Sequence, residues 1–153
     1  RDREEIAAEA LRRADVSHLA ARTFQTLSGG EQQRVQFARI LAQLAAGRTV
    51  APRQVLLLDE PISSLDLKHQ LALLEAVAVL AGEGIAVLAV LHDLNLASIF
   101  ADEIVVMSRG RAVAHGAPDT VIRDEMIIEV FEVALPVGII PAPGRPFLLP
   151  RRV

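Results

Sequence analysis

Val55-Leu56-Leu57-Leu58-Asp59-Glu60-Pro61 is an unbroken apolar run that ends in two acids and a proline. A short run of this kind reads as a strand buried on both faces, the condition of strands inside a parallel sheet. Upstream, Thr49–Gln54 contains Pro52 and reads as a connector. Downstream, Leu67, Leu71, Leu74, Ala78 and Ala81 recur at helical spacing until Gly82-Glu83-Gly84, and Ile85–Leu91 is a second apolar run that ends at His92-Asp93. Strand, helix and strand in that order, followed by a short helix over Leu94–Phe100, predict an α/β layer with a parallel sheet.

The flanks extend the same reading. Ile6, Ala7, Ala10, Leu11 and Ala14 form the apolar stripe of an amphipathic helix. Ser28 and Glu31 have capping-box spacing, so a second helix begins at or near Ser28, carries Val35, Ala38, Leu41 and Ala45 on one stripe, and ends near Gly47. Ile104–Met107, the turn Ser108-Arg109-Gly110 and Arg111–His115 predict a hairpin. Asp119–Phe131 is expected to be helical, and the prolines from Pro136 to Pro150 make the tail extended.

Composition narrows the function. The 153 residues suit one ordinary domain. Lys plus Arg number 16 against 19 for Asp plus Glu, a net charge of −3 that gives no general pull toward nucleic acid. With no cysteine there is no disulfide scaffold, thiolate metal site or thiol nucleophile. The apolar runs fall far short of the roughly 20 residues of a spanning helix, and the charged start Arg1-Asp2-Arg3-Glu4-Glu5 does not read as a secretory signal.

Three places carry candidate chemistry. Asp59 and Glu60 stand at the C-terminal end of a strand, the edge of an open α/β sheet where ligands bind. An Asp there can hold Mg²⁺ and the next acid can activate an attacking water, although acids and proline also end strands without any function. His92 ends the next strand at the same edge, where an imidazole can contact a phosphate or serve as a plain structural hydrogen-bonder. Ser28-Gly29-Gly30 offers a hydroxyl and bare backbone at a helix N-terminus, which is either a phosphate corner or an ordinary cap. Ser63-Ser64-Leu65-Asp66 reads first as a turn and helix cap.

Taken together, Leu27-Ser28-Gly29-Gly30-Glu31-Gln32-Gln33-Arg34-Val35, Leu56-Leu57-Leu58-Asp59-Glu60-Pro61, Ser64-Leu65-Asp66 and His92-Asp93 resemble the ATP-binding subunits of ABC transporters over about residues 25–115. The resemblance implies an ATP- and Mg²⁺-dependent ATPase with the α/β P-loop (RecA-like) fold. Ser28, Gly29, Gly30 and Glu31 match the signature motif, which acts in trans on the nucleotide of a second copy. Asp59 matches the Mg²⁺-associated Walker B acid, Glu60 the catalytic base, Asp66 the D-loop at the dimer interface, and His92 the switch histidine. Two positions depart from the pattern: Glu31 stands for the commoner Gln, and Ile62 for the usual Thr. The sequence contains no G-x-x-x-x-G-K-[ST] phosphate loop. The chain therefore looks like the C-terminal part of an ABC ATPase core with part of its helical signature subdomain, and is expected to be inactive and poorly stable alone.

On this resemblance, residues 1–48 end the helical subdomain, 49–116 run from Walker B to the switch histidine, and 117–153 form a C-terminal helix and tail. The extension Ala42–Arg53, the stretch His92-Asp93-Leu94-Asn95-Leu96-Ala97 and the ending Pro146-Phe147-Leu148-Leu149-Pro150 resemble hemin-importer ATPases, within the group that imports iron-siderophores and vitamin B12. This implies permease subunits in the membrane, a periplasmic binding protein as indirect partner, no nucleic acid, and a peripheral place on the cytoplasmic face of the bacterial inner membrane. A soluble, non-transport ABC ATPase and a non-catalytic remnant are the competing expectations. No heme is expected on this chain, because His18, His69, His92 and His115 have no paired spacing.

Overall fold

The computed structural model describes residues 3–48, 50–144 and 146–150. Arg1 and Asp2 of the charged start, Thr49 of the connector, Arg145, and 151–153 at the end of the tail lie outside the described residues. The chain divides into two compact units, Arg1–Val90 and Leu91–Val153.

In the first unit, helix α1 (Arg3–Arg13) packs on helix α2 (Gly29–Gly47). Two 3₁₀ turns, Ser17–Leu19 and Phe24–Thr26, lead from one to the other. α1 carries Glu4 and Glu5 in its first turn and Arg12 and Arg13 in its last, charges that oppose the helix dipole at both ends. The buried residues of α2 are Phe37, Ala38 and Leu41, so Phe37 joins the stripe read from the sequence. Strand β1 (Val55–Asp59), helix α3 (Leu67–Gly82) and strand β2 (Ala86–Val90) follow as a βαβ unit. The two strands pair in parallel from Val55↔Ala86 to Asp59↔Val90. Leu73, Leu74, Val77 and Leu80 of α3 are buried, as are Leu56 and Leu58 of β1.

The expectation of strands buried on both faces is not met. Burial along β1 alternates, with Leu56 and Leu58 inside and Val55 and Leu57 exposed at 67% and 69%. Leu88 and Val90 of β2 are exposed too. Side chains alternate across a pleated strand, and this two-stranded sheet has packing for one set only.

In the second unit, helix α4 (Leu94–Phe100) begins at Asp93, whose carboxylate accepts from the N–H groups of Asn95 at 2.8 Å and Leu96 at 3.0 Å. Strands β3 (Ile104–Ser108) and β4 (Arg111–Gly116) form the expected hairpin. Its two-residue loop has positive φ at both Arg109 (49°) and Gly110 (75°), the geometry that matches strand twist, and glycine takes it without strain. A bulge between Val106 and Met107 leaves Val113 as the extra residue of β4. The helix expected over Asp119–Phe131 is instead two: α5 (Pro118–Val121) and α6 (Asp124–Phe131). Ile122 and Arg123 take extended backbone between them, which lets Val121, Met126 and Ile127 reach one buried cluster with Val106.

Candidate functional site

The N-terminus of α2 is built as the sequence predicts. Ser28 is its N-cap, with extended backbone, and Glu31 closes a full capping box. The Glu31 carboxylate accepts from Ser28 N at 2.7 Å and from Ser28 Oγ at 2.8 Å, while Ser28 Oγ accepts from Glu31 N at 3.4 Å. The Ser28 backbone N–H, then its hydroxyl, hold the Glu31 carboxyl below its ordinary value of 4.5, with Arg22 and Arg34 adding to the shift. The extra charge at this position thus faces the cap's own donors.

A second cap stands at Asp66, the N-cap of α3. Its carboxylate accepts from His69 N at 3.0 Å and lies 2.6 Å from His69 Nδ1. The His69 backbone N–H, then its ring, lower the Asp66 carboxyl below its ordinary value of 3.8, with a smaller contribution from Arg34. Ile62, the other departure from the family pattern, is buried, and its carbonyl accepts from Leu65 N at 3.2 Å and Gln70 Nε2 at 3.3 Å. An apolar side chain therefore suits a position where the backbone makes the polar contacts.

These two carboxyls set a pH dependence. Each has a folded pKa below its unfolded one, so each contributes stability above the unfolded value, and that contribution is lost as pH falls through the folded value. Helix content followed by circular dichroism is expected to hold from neutral pH down to about 5 and to fall as pH drops below the ordinary carboxylate range, where both caps become protonated. In Glu31→Gln the acid limb should weaken. Acid limbs of Glu31→Gln and Asp66→Asn that are both identical to that of the wild type would contradict the role of both caps.

β1 delivers Asp59 and Glu60 to the C-terminal end of the parallel pair, both exposed. Glu60 has φ of 45°, in the left-handed region that a bulky L-residue rarely adopts. Such strain of about 1–3 kcal/mol persists where surrounding bonds fix it. Here the Glu60 carbonyl accepts from Ser63 N at 3.3 Å, Ser63 Oγ at 3.1 Å and Gln33 Nε2 at 3.3 Å. Gln33 in turn accepts from Ser64 Oγ through its own Oε1. Gly30 is close to the same turn: a Cβ on it would lie 3.3 Å from the Ser64 carbonyl. The first unit thus links α2 to Glu60 and the turn before Asp66, by the bonds of Gln33 and the close approach of Gly30. His92 is exposed and lies in the second unit. Pattern reading missed Gln33, since its bonds span 27 and 31 residues of sequence.

The profile of the ABC transporter family matches residues 1–63. The chain belongs to the ABC transporter ATP-binding family. It is 55% identical over 141 residues to the hemin import ATP-binding protein HmuV of Rhodopseudomonas palustris, covering 92% of this chain and 52% of that protein. The ADP conformation of MJ1267, an ATP-binding cassette of an ABC transporter, matches with a TM-score of 0.68 at 25% identity, over 86% of this chain and 50% of that one. A dimeric post-hydrolysis state of the ATP-binding cassette MJ0796, bound to ADP and Pi, matches with a TM-score of 0.64 at 29% identity, over 74% and 46%. The chain spans about half the length of the curated relatives it matches, and its fold is that part of the α/β ABC ATPase.

Proposed function

We propose that this chain is the signature-to-switch part of an ATP-hydrolysing subunit of an ABC importer, with hemin as cargo. The observation that carries the reading is the end of β1: two successive carboxylates leave the strand there, and the second is held in a strained backbone conformation tied through Gln33 to the helix that begins at the Ser28–Glu31 corner. In this reading Asp59 is the magnesium acid and Glu60 the general base toward the subunit's own ATP, with His92 sensing the γ-phosphate. Ser28, Gly29, Gly30 and Glu31 face the nucleotide of a second copy, and Asp66 lies at the interface. Because Ser28 Oγ donates to Glu31, its hydroxyl must turn from that carboxylate to donate to a phosphate.

Magnesium fits what Asp59 offers. Mg²⁺ uses one or two carboxylates and completes its shell with phosphates and waters. Asp59 supplies one exposed carboxylate, and among the described residues no group of three or more His, Cys, Asp or Glu side chains could hold a metal by itself. The ion would therefore be shared with bound ATP, where it neutralises phosphate charge.

The assignment of residues 1–48, 49–116 and 117–153 to helical subdomain, ATPase core and C-terminal tail belongs to the same proposal. The dimeric cassette supports pairing with a second copy, and the hemin-import relatives support hemin and a membrane permease. Among the described residues no helix is long and apolar enough to cross a membrane, which agrees with peripheral attachment to permease subunits on the cytoplasmic face. The periplasmic binding protein enters only through the permease.

The test is reconstitution of the full-length subunit with its permease and binding protein in proteoliposomes. ATP-dependent hemin accumulation is expected; accumulation of a siderophore or vitamin B12 instead would reassign the cargo, and turnover without any permease dependence would favour a soluble ABC ATPase. The 153-residue chain alone is expected to give no Mg-ATP turnover, because its sequence has no phosphate loop to hold the β- and γ-phosphates. Turnover by this chain that disappears in Glu60→Gln would refute that expectation.

A further inference from the structure

Gln33 is one turn beyond Ser28 on α2 and half-buried, and both ends of its amide are used by the segment that follows β1. Its Nε2 donates to the Glu60 carbonyl at 3.3 Å, and its Oε1 accepts from Ser64 Oγ. Ser63 donates twice to the same Glu60 carbonyl, so three bonds hold the left-handed backbone of this residue at that atom. A neutral side chain with both a donor and an acceptor suits this bridge. Leu offers neither, and Glu keeps the acceptor for Ser64 but loses the donor for Glu60.

We infer that Gln33 is a positioning residue for Glu60: it fastens the strained Glu60 backbone to α2, so that the carboxylate's aim depends on the helix whose N-terminus carries Ser28, Gly29 and Gly30. The inference rests on the proposed role of Glu60 as base. It adds a physical link by which a shift of α2 at one nucleotide changes the base that acts on another. Gln33 itself touches no reacting atom in this scheme. Its influence passes through one backbone carbonyl.

The consequence is a particular pattern of kinetics. Displacing a base by about 1 Å lowers the chemical step by up to about 10²-fold, while ATP affinity, which Glu60 does not supply, stays the same. In the full-length subunit assembled with its permease, Gln33→Leu is expected to lower kcat about 10- to 100-fold at unchanged KM for ATP. Ser64→Ala, which removes only the acceptor-side partner, should lower kcat less, and Gln33→Leu/Ser64→Ala should equal Gln33→Leu, because both changes break one bridge.

The deciding arm uses Glu60→Gln as background. If Gln33 acts through Glu60, adding Gln33→Leu to Glu60→Gln leaves the residual turnover and the ATP-bound dimer fraction as they are in Glu60→Gln alone. A further loss in that background, or a rise in KM with kcat intact, would overturn the inference and make Gln33 a structural or nucleotide-contacting residue. Gln33→Glu covers the case in which Gln33→Leu fails to fold: it keeps the Ser64 bond, so a kcat equal to wild type would also overturn the inference. Wild-type turnover that ignores Glu60→Gln would instead sink the assignment of the base, which separates the two failures.

Discussion

Glu60→Gln in the full-length subunit is expected to reduce Mg-ATP hydrolysis by at least about 10²-fold, within the usual range for loss of a general base, while ATP-bound dimers accumulate. Glutamine keeps the size of the side chain and removes its ability to take a proton. The bonds from Gln33 and Ser63 go to its carbonyl, so the substitution leaves those three in place. The left-handed backbone at φ 45° is as accessible to Gln as to Glu. The loss thus reports chemistry, and a 10²-fold fall corresponds to about 2.7 kcal/mol of transition-state stabilisation. Single-turnover hydrolysis gives the rate, and size-exclusion chromatography with Mg-ATP gives the dimer fraction. Near-normal turnover would move the role of base to another group, while loss of both turnover and dimer would mean that Glu60 supports nucleotide binding or folding.

What was legible in the sequence, and what was not, follows from the range of each interaction. The capping box at Ser28 and Glu31 and the Asp66 cap of α3 are contacts within three residues, so the local pattern alone predicts them. The two-residue turn at Arg109-Gly110 is equally local. The parallel β1–α3–β2 unit came from apolar periodicity and from acids and glycines that end each run. Three features had no such signal. The break at Ile122–Arg123 depends on which residues must reach the Val106 cluster, which a continuous apolar stripe does not encode. The left-handed backbone of Glu60 is held by a carbonyl whose partner Gln33 is 27 residues away. The one-sided burial of β1 depends on how many layers surround the strand, whereas the sequence Val55–Leu58 records only that both sets of side chains are apolar.

That one-sided burial yields a second large effect. The 153-residue chain alone is expected to self-associate and bind hydrophobic dyes, and Leu57→Lys is expected to suppress both. Val55 and Leu57 on β1 are exposed at 67% and 69%, and the register sets Leu57 beside Leu88, itself 61% exposed, with Val90 at 47% in the same strand. Together they form a continuous apolar face, and such patches drive association in water. Among the described residues neither outer edge of the two-stranded sheet pairs with a further strand, and such edges are open to another chain. A lysine at Leu57 breaks the face with a charge that remains solvated, so it costs the isolated chain little. In the full-length subunit the opposite outcome is expected. There the face is proposed to be covered by the rest of the ATPase core, and Leu57→Lys loses the roughly 1.5–3 kcal/mol of a buried leucine while it buries an ammonium group that would need a partner. Sedimentation velocity and thermal melting of the two proteins, each with and without the substitution, provide the comparison. A wild-type chain that sediments as a single monomer and melts in one sharp transition would show that the exposed face of β1 and β2 has no drive to be covered, and with it would fall the view that this sheet is one part of a larger one.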